Sequence, residues 1–483
     1  MKFKLVDTFS FNHWRINKLH LINLAILILL FIFTLLGVSR ISSLLLILPL
    51  YLCGIFLILY RPEVVLIILV IFTSTFFTMD ALPQPVSFGE IGLYLPEFLV
   101  VLLFARILIV GAKKKDFRKL SSPLTYPIIL FFLWILFEIL NAVLTKRATL
   151  LEANLIARSY IFYLNFFLAL YYLDSEAKLS LFLNALIVVG IICALLSFLQ
   201  YLAGPKTKII PSFYWAVGPV SFEDENSLAR VMPTSISLIY MFFFPLLVLT
   251  INSKKGRNYL YSIAVLAFLL AFFVTFSRNV YYSVITGFSL VWFIFRGRLK
   301  SRFVKNTLGL TLLVLVISYL PAYLGIIPVA NWWDQVFLRH SEFLTAGAQT
   351  ETLAWRSIES ETILREISKS PFLGQGIGTS YYHPLYNSNV AIAHNGYFSL
   401  IYQTGIIGFL LFCLIIYQYI KLSIQVYKTA VSPEHKSIVL GQLIGFIALL
   451  PAVWVKPVFV QEFYWISLIS IFWALPVLYE RLK

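Results

Sequence analysis

Charged residues are scarce in this chain: Asp, Glu, Lys and Arg together make up 12% of its 483 residues. A soluble domain averages about 25% charged residues. Hydrophobic residues reach 60% of the chain, and its mean hydropathy is +0.88. These values exclude a soluble globular protein.

Cysteines and metal-binding patterns are also few. Cys53, Cys193 and Cys413 lie far apart inside apolar runs, which is typical of buried packing residues and not of a disulfide framework. Elsewhere, His, Asp and Glu residues do not show the spacing of metal ligands. The acidic run at residues 223–225 is typical of a solvated loop, with a divalent-ion site as the alternative. The sequence therefore predicts no metal and no cofactor.

Apolar runs recur along the whole chain, each long enough to cross about 30 Å of hydrocarbon. They predict an all-α, polytopic transmembrane helical bundle of about fourteen spans, forming a single integral membrane domain over 1–483. The first run is about 20 residues long and no A-x-A-like site follows it, so we expect a retained helix and not a cleaved signal peptide. The predicted spans lie near 19–38, 41–60, 63–78, 93–111, 122–144, 154–173, 180–203, 230–252, 259–276, 279–296, 306–327, 395–419, 437–456 and 461–480.

Positive charge is concentrated in short clusters between the apolar runs, as at residues 113–115, 254–257 and 296–305, and gives a net charge of +16. Clusters of this kind orient a protein in the membrane, so we expect membrane lipids and no nucleic acid as partners. With the N-terminus inside, about 24 Lys and Arg residues fall on the cytoplasmic side and about 12 outside. This bias predicts a cytoplasmic (inner) membrane protein with both termini in the cytoplasm and its active site facing the periplasm.

The segment 328–394 is the largest predicted outer loop, and about 67 residues is too long for a simple connector. We expect it to contain short helices, one of them over 355–367, and to carry part of the active site. Gly374, Gly376 and Gly378 follow in it without the G-x-G-x-x-G spacing of a dinucleotide site. They predict a turn that lets two backbones approach closely.

Four arginines are placed by the predicted topology on the outer side of the membrane. Arg158 lies about one turn inside the sixth span, Arg230 opens the eighth, and Arg278 lies at the tight turn between the ninth and tenth. Arg356 lies in the large outer loop. Guanidinium groups stay charged and bind phosphate oxygens bidentately. At this depth they predict a site for a lipid-linked phosphate or diphosphate.

Structural roles remain alternatives for these arginines. An arginine at a helix end commonly extends its charge to the lipid headgroups. Arg356 can also pair with Glu359 or Ser360 on its own helix.

His394 lies at the point where the chain enters the twelfth span, directly before Asn395 and Gly396. A neutral imidazole there can accept a proton from a hydroxyl nucleophile at physiological pH. The alternative is a hydrogen-bonded structural histidine at the membrane interface. His383 is a lesser candidate for the same role.

Four short motifs resemble the bacterial O-antigen polymerase and O-antigen ligase superfamily, whose members are polytopic enzymes. They are the helix-opening arginine in Ala-Arg230-Val-Met, Ser-Arg278 at a span end, the arginine–helix–Pro-x-x-Gly-x-Gly run over 356–378, and His394-Asn-Gly-Tyr followed by Gly-Ile-Ile-Gly over 405–408. This chain departs from the family at Gln403-Thr404, where an acidic residue often precedes Gly-x-x-Gly.

The resemblance implies that Arg230 and Arg278 hold the donor pyrophosphate and that His394 is the base acting on the acceptor hydroxyl. Arg158 and Arg356 are further candidates for substrate binding. Asn395, Tyr397 and Gly376 are expected to support the site.

The function implied is that of an inverting, metal-independent membrane glycosyltransferase. It would join polyprenyl-diphosphate (undecaprenyl diphosphate type) glycan repeat units outside the cytoplasmic membrane, as an O-antigen or exopolysaccharide polymerase in polysaccharide biosynthesis for the cell envelope. A ligase that transfers the glycan to a lipid core of lipopolysaccharide or to a protein is the first alternative. A chain-length regulator protein is a further candidate partner. A transporter or flippase is the second alternative, for which Glu138 inside the fifth span is the main evidence.

Overall fold

The computed structural model describes residues 57, 60–76, 86–88, 91–115, 117–203, 209, 231, 233–252, 258–275, 277–323, 351–384 and 387–482. Two units are distinguished, 1–68 and 69–483. In the first, Arg61 Nε lies 2.6 Å from Glu63 Oε1 at the beginning of a helix. The residues of the candidate site lie in the second unit, and the prediction of a single domain over 1–483 stays a prediction.

Helices occupy the predicted positions of the third to the fourteenth span, and the predicted polytopic helical bundle is confirmed. The first two predicted spans lie outside the described residues apart from 57 and 60. Eight helical segments are long and apolar enough to cross a membrane, and four shorter apolar helices accompany them among the described residues. The helices are α1 Pro62–Ser74, α2 Leu95–Lys114, α3 Thr125–Leu144, α4 Leu150–Ile161, α5 Asn165–Tyr172, α6 Glu176–Ala203, α7 Ile236–Asn252, α8 Asn258–Thr275, α9 Arg278–Ile294, α10 Gly297–Tyr323, α11 Glu351–Lys369, α12 Gly396–Thr429, α13 Pro433–Val453 and α14 Phe463–Arg481.

Two of the predicted boundaries are wrong in a way that affects the candidate site. The helix α4 begins at Leu150, four residues before the predicted span, because Thr149 and Glu152 form a capping box there. The helix α7 begins at Ile236 and not at 230. Hydropathy alone misses both starts, since capping and polar turn residues decide where a helix begins.

Two small antiparallel hairpins, which the sequence did not predict, lie between helices. Strands β1 Val86–Phe88 and β2 Ile91–Leu93 form the first, and β3 Tyr381–His383 and β4 Ser388–Val390 form the second. In the second hairpin, Tyr381 pairs with Val390 and His383 with Ser388. Tyr381 packs with Ile363 of α11 and Tyr402 of α12 in a buried cluster. This cluster fixes the hairpin and α11 against the beginning of α12.

The helix α12 is interrupted at Gly405, whose φ of 65° and ψ of −178° are not helical. The loop after α11 supplies the missing hydrogen bonds: Gln375 N donates to Tyr402 O (2.7 Å), and Ile406 N donates to Pro371 O (2.9 Å). Backbone groups freed inside a membrane bundle need such partners. A Cβ on Gly374 would lie 2.5 Å from Gly405 N. The expected turn of close backbone approach is confirmed, and it docks the loop that follows α11 into the break in α12.

Gly378→Ala should destabilise the protein by about 2 kcal/mol or more, through left-handed backbone strain and overlap with a neighbouring helix. Gly378 has a φ of +91°, and a Cβ there would overlap the backbone of Ala153 on α4. Gly309→Ala is the matched control, because nothing lies within 4 Å of its added Cβ. Thermal unfolding in detergent should show a lowered midpoint for Gly378→Ala alone. Equal midpoints for the two variants would contradict the proposed close approach.

Candidate active site

His394 is held at the mouth of α12 by the cap of that helix. The side-chain oxygen of Asn395 accepts hydrogen bonds from Tyr397 N (3.0 Å) and Phe398 N (3.1 Å). An N-cap of this type fixes the first turn of a helix. The His394 side chain is 50% exposed. The ring therefore lies just outside the first turn and is accessible to a bound molecule.

Glu359 of α11 orients the imidazole of His394. The Nδ1 atom of His394 lies 3.0 Å and 3.1 Å from the two carboxylate oxygens of Glu359, and the backbone N–H of His394 donates to Oε2 at 3.1 Å. An ionised carboxylate only accepts hydrogen bonds, so Nδ1 carries the proton and Nε2 keeps its lone pair. A histidine in this tautomer can act as a general base.

His383 lies near the same carboxylate. Its Nε2 atom is 3.8 Å from Glu359 Oε1, and its side chain is 2% exposed. This distance is longer than a hydrogen bond. The described residues therefore place the half-exposed His394, and not the buried His383, where an acceptor can reach a ring nitrogen.

A cleft of about 260 Å³ lies beside His394. Arg356 and Ser360 of α11 line one side of it, and Trp454 and Val455, which follow α13, line another. Arg356 precedes Glu359 by three residues, which places the two side chains on neighbouring positions of one helix face. Arg356, predicted to bind substrate, thus lies in the cleft that contains the candidate base.

Arg158 is engaged by its own chain. Its Nε and Nη2 atoms donate to the two carboxylate oxygens of the buried Glu97, at 2.7 Å and 3.1 Å, and its guanidinium lies 4.1 Å from the centre of the Tyr94 ring. Arg158 is eight residues from the first residue of α4, about two turns and not the one predicted. Its role in substrate binding stays a prediction.

The segments that carry Arg230 and Arg278 come together. Arg230 itself lies outside the described residues, but its neighbour Val231 donates its backbone N–H to Val274 O, at 2.9 Å, near the end of α8. Arg278 begins α9, four residues after Val274 in the sequence. The structure describes the backbone of Arg278. Val231 and Val274, 43 residues apart in the sequence, are therefore joined at one end of the bundle.

The turn over 454–462 connects these elements. A Cβ added to Gly396 would lie 2.9 Å from Lys456 O, and Ser159 Oγ of α4 donates to Gln461 O at 2.9 Å. Asn279 of α9 and Lys456 line a second, smaller cavity. The beginnings of α9 and α12 and the last part of α4 thus surround one turn, and the convergence of the four arginines stays a prediction.

The residues expected to support the site have different surroundings. The Tyr397 hydroxyl donates to Leu450 O at 2.7 Å, and its ring lies 6.1 Å from that of Trp454 in the cleft wall. A Cβ on Gly376 would lie 2.6 Å from Ala142 Cβ of α3, so this glycine docks the loop and does not line the cleft. Gln403 lies where the O-antigen polymerase and ligase superfamily often has an acidic residue before Gly-x-x-Gly. It is buried, and its side chain accepts a hydrogen bond from the Tyr160 hydroxyl at 3.0 Å.

Two residues in these surroundings were not assigned a function from the sequence. The sequence indicates Glu359 only as a partner of Arg356, although the spacing of these two residues on one helix face is a signal that they share a site. Lys456 is not part of any motif noted in the sequence. The contact of its backbone carbonyl with Gly396, at the beginning of α12, appears only in the folded chain.

Comparison with curated proteins gives no significant match. Residues 263–413 match a family model described as O-antigen ligase, a stretch that includes Arg278, Glu359 and His394 and leaves out Arg158 and Arg230. The predicted resemblance to the O-antigen polymerase and ligase superfamily is thereby confirmed, and the chain is a multi-pass membrane protein whose residues 263–413 are similar to the O-antigen ligase family.

Proposed function

We propose that this protein is an inverting, metal-independent glycosyltransferase that joins polyprenyl-diphosphate-linked glycan repeat units on the outer face of the cytoplasmic membrane, with both termini inside. The observation that carries the proposal is the pair of Glu359 and His394 beside an open cleft, with Nδ1 of the histidine held by the carboxylate. This pair has the geometry of an oriented general base. The family match supports a substrate that is a lipid-linked glycan.

In the proposed reaction, the acceptor hydroxyl oxygen attacks the anomeric carbon of the donor from the face opposite the diphosphate. The new C–O bond forms as the bond from the anomeric carbon to the diphosphate oxygen breaks, which inverts the configuration. The hydroxyl proton moves to Nε2 of His394, and the bonding electron pair leaves with the polyprenyl diphosphate. Glu359 then faces an imidazolium and stabilises its charge.

The leaving diphosphate needs positive charge where its own negative charge develops. Arg278 begins α9, a helix of 17 residues, and the beginning of a helix is electropositive. The segment that carries Arg230 is joined to the end of α8 by the Val231–Val274 hydrogen bond. Both arginines are proposed to bind the donor diphosphate, with Arg356 at the cleft as a further cation.

Polymerase and ligase differ in the acceptor, and the similarity of residues 263–413 to the O-antigen ligase family favours a ligase as the second candidate. Purified protein in lipid should be given one substrate, a polyprenyl-diphosphate oligosaccharide, and the products resolved by size. A ladder is expected for the polymerase. A single product that needs an added lipid-core or protein acceptor would establish the ligase instead. No glycosidic product under either condition would contradict both.

Glu138 was the main evidence for a transporter. It is buried in α3, and its backbone carbonyl accepts a hydrogen bond from Ile377 N of the outer loop at 3.4 Å. Ionisable transport sites lie near the bilayer midplane. The contact of Glu138 with the outer loop therefore supports the enzyme proposal over the transporter.

Arg278→Lys should lower kcat/KM for the donor by about 10- to 100-fold, because a lysine cannot reproduce the bidentate fork of a guanidinium. The measurement is initial product formation at several donor concentrations. Arg298→Lys, at an exposed position near the other end of α9, is the control and should behave as the parent protein. If Arg278→Lys has the same kcat/KM as the parent protein, Arg278 does not bind the donor diphosphate as proposed.

A further inference from the structure

Trp454 places an exposed aromatic residue beside the candidate base. It is the C-cap residue of α13, and its backbone N–H donates to Pro451 O at 3.3 Å. Trp454 lines the cleft of His394, and 58% of its surface is exposed. An indole carries a large apolar area, so an exposed one beside a cleft marks a surface that a ligand can cover.

Two rings from the first turn of α12 pack against the Trp454 side chain. The centre of the Phe398 ring lies 5.5 Å and that of the Tyr397 ring 6.1 Å from the centre of the Trp454 ring. The Tyr397 hydroxyl also donates to Leu450 O at 2.7 Å, which joins this turn to the last part of α13. A side chain that is already held by packing loses less conformational entropy when it binds a ligand. The indole is therefore a pre-positioned surface next to the beginning of α12.

The part of the cleft wall that α11 supplies is polar. Ser357 and Ser360 lie three residues apart on this helix, and Arg356 lies four residues before Ser360, so the three occupy neighbouring positions. Hydroxyl groups donate and accept hydrogen bonds, and a guanidinium donates them. Hydrocarbon chains of lipids offer no partner to such groups. Trp454 thus shares its cleft with hydrogen-bonding groups, which favours a polar ligand over a role as an aromatic membrane anchor.

A sugar has both kinds of surface that this cleft offers. Its ring carries C–H groups, whose weak positive charge is attracted to the negative face of an aromatic ring. Its hydroxyls, at the rim of the ring, exchange hydrogen bonds with hydroxyl and guanidinium side chains. The cleft volume of about 260 Å³ is below the roughly 300–1,000 Å³ of sites for drug-sized ligands, so it suits one sugar ring and not a chain of several.

We propose that Trp454 is the stacking platform of an acceptor subsite, which binds the sugar ring whose hydroxyl loses its proton to His394. Ser357 and Ser360 hydrogen-bond other hydroxyls of the same sugar. Stacking fixes the plane of the ring, and the hydroxyls at its rim lie near that plane, so one of them is presented to Nε2 of His394. The inference rests on the proposed function, because it assigns the acceptor of that reaction to a repeat-unit sugar.

The subsite is tested with the repeat-unit oligosaccharide as its methyl glycoside, which has no diphosphate and therefore can only accept. With the labelled polyprenyl-diphosphate donor at a fixed concentration, the rate of transfer to the methyl glycoside gives an acceptor KM. Trp454→Ala should raise this acceptor KM about 10-fold, the effect of losing one aromatic contact. The donor KM should stay near that of the parent, because the donor diphosphate does not contact the indole.

The choice of substitution separates stacking from packing. Trp454→Phe keeps an aromatic face and should keep most of the affinity for the acceptor, whereas Trp454→Leu keeps apolar bulk alone and should behave as Trp454→Ala. If Trp454 only packs the turn or anchors it among lipids, Trp454→Leu would have the acceptor KM of the parent, which overturns the proposal. Trp292→Leu is the control, because Trp292 is 43% exposed near the other end of α9 and should leave the acceptor KM unchanged. Where Trp454→Ala does not give monodisperse protein, Trp454→Leu and Trp454→Phe give the same comparison.

Binding of the methyl glycoside without donor separates this inference from the proposed function. Saturation-transfer NMR on the full chain in detergent should show binding by the parent and a loss of signal in Trp454→Leu. Glycan product together with an acceptor KM indifferent to Trp454 would overturn the sugar subsite alone. Trp454-dependent binding in a protein that makes no glycosidic product would overturn the glycosyltransferase and leave a carbohydrate-binding cleft. Transfer to a lipid-core or protein acceptor, with none to the methyl glycoside, would overturn the assignment of the subsite to a repeat-unit sugar.

Discussion

His394→Ala is expected to lower the rate of glycan transfer by about 10²–10⁴-fold, the usual contribution of a general base. The acceptor hydroxyl would then have to lose its proton to water. The fold should survive, because the ring is half exposed and the cap of α12 is made by Asn395. The buried Glu359 would still accept the backbone N–H of residue 394. The measurement is initial product formation from the polyprenyl-diphosphate substrate, with thermal unfolding to check the fold.

A matched histidine provides the control for this variant. His435 of α13 also lies beside a glutamate, with its Nε2 atom 3.6 Å from Glu176 Oε1, but at the opposite end of the bundle. His435→Ala should leave the transfer rate near that of the parent. Added imidazole should restore part of the activity of His394→Ala, since the substitution leaves space beside the cleft. A transfer rate in His394→Ala close to that of the parent would show that another group removes the proton.

Glu359→Gln is expected to reduce the transfer rate by a comparable amount, on the order of 10²–10⁴-fold, because it reverses the tautomer of His394. In the parent, one carboxylate oxygen accepts the backbone N–H of His394 and both lie within 3.1 Å of Nδ1. In the variant, the amide oxygen takes the backbone N–H and the NH₂ group faces Nδ1. Nδ1 then becomes the acceptor, and the proton moves to Nε2, which can no longer act as a base.

The effect should appear in kcat more than in donor KM, since Glu359 acts through His394 and does not bind the donor. Glu361→Gln is the control: it lies two residues away on the same helix, is exposed, and pairs only with Arg365 among the ion pairs of the described residues. It should retain most of the parent's rate. Retention of near-parent kcat in Glu359→Gln would mean that the carboxylate is only a structural partner of His394.

The positions of the spans could be predicted from the sequence because hydropathy is a strong local signal. The helices α2, α3 and α6 fall within a few residues of the apolar runs that predicted them. The N-cap of α12 was not predicted, although an Asn directly before an apolar run, as Asn395 is, is a common signal of a helix beginning. The glycine-rich turn could be predicted because glycine adopts positive φ angles without strain. Three glycines lie within five residues there, and the φ angles at 374, 376 and 378 are positive.

The partners of the candidate site could not be predicted in this way. In a membrane bundle both the lipid-facing and the protein-facing sides of a helix are apolar, so the sequence does not reveal which side faces inward. The Arg158–Glu97 pair spans 61 residues and the His394–Glu359 pair 35 residues, and each depends on the rotation of a helix about its axis. The sequence by itself determined the spans, the beginning of α12 and the residue types suited to the chemistry. The tertiary structure alone decided that Glu359 orients His394, that Glu97 occupies Arg158 and that Lys456 lies beside the beginning of α12, because only packing between distant helices brings those side chains together.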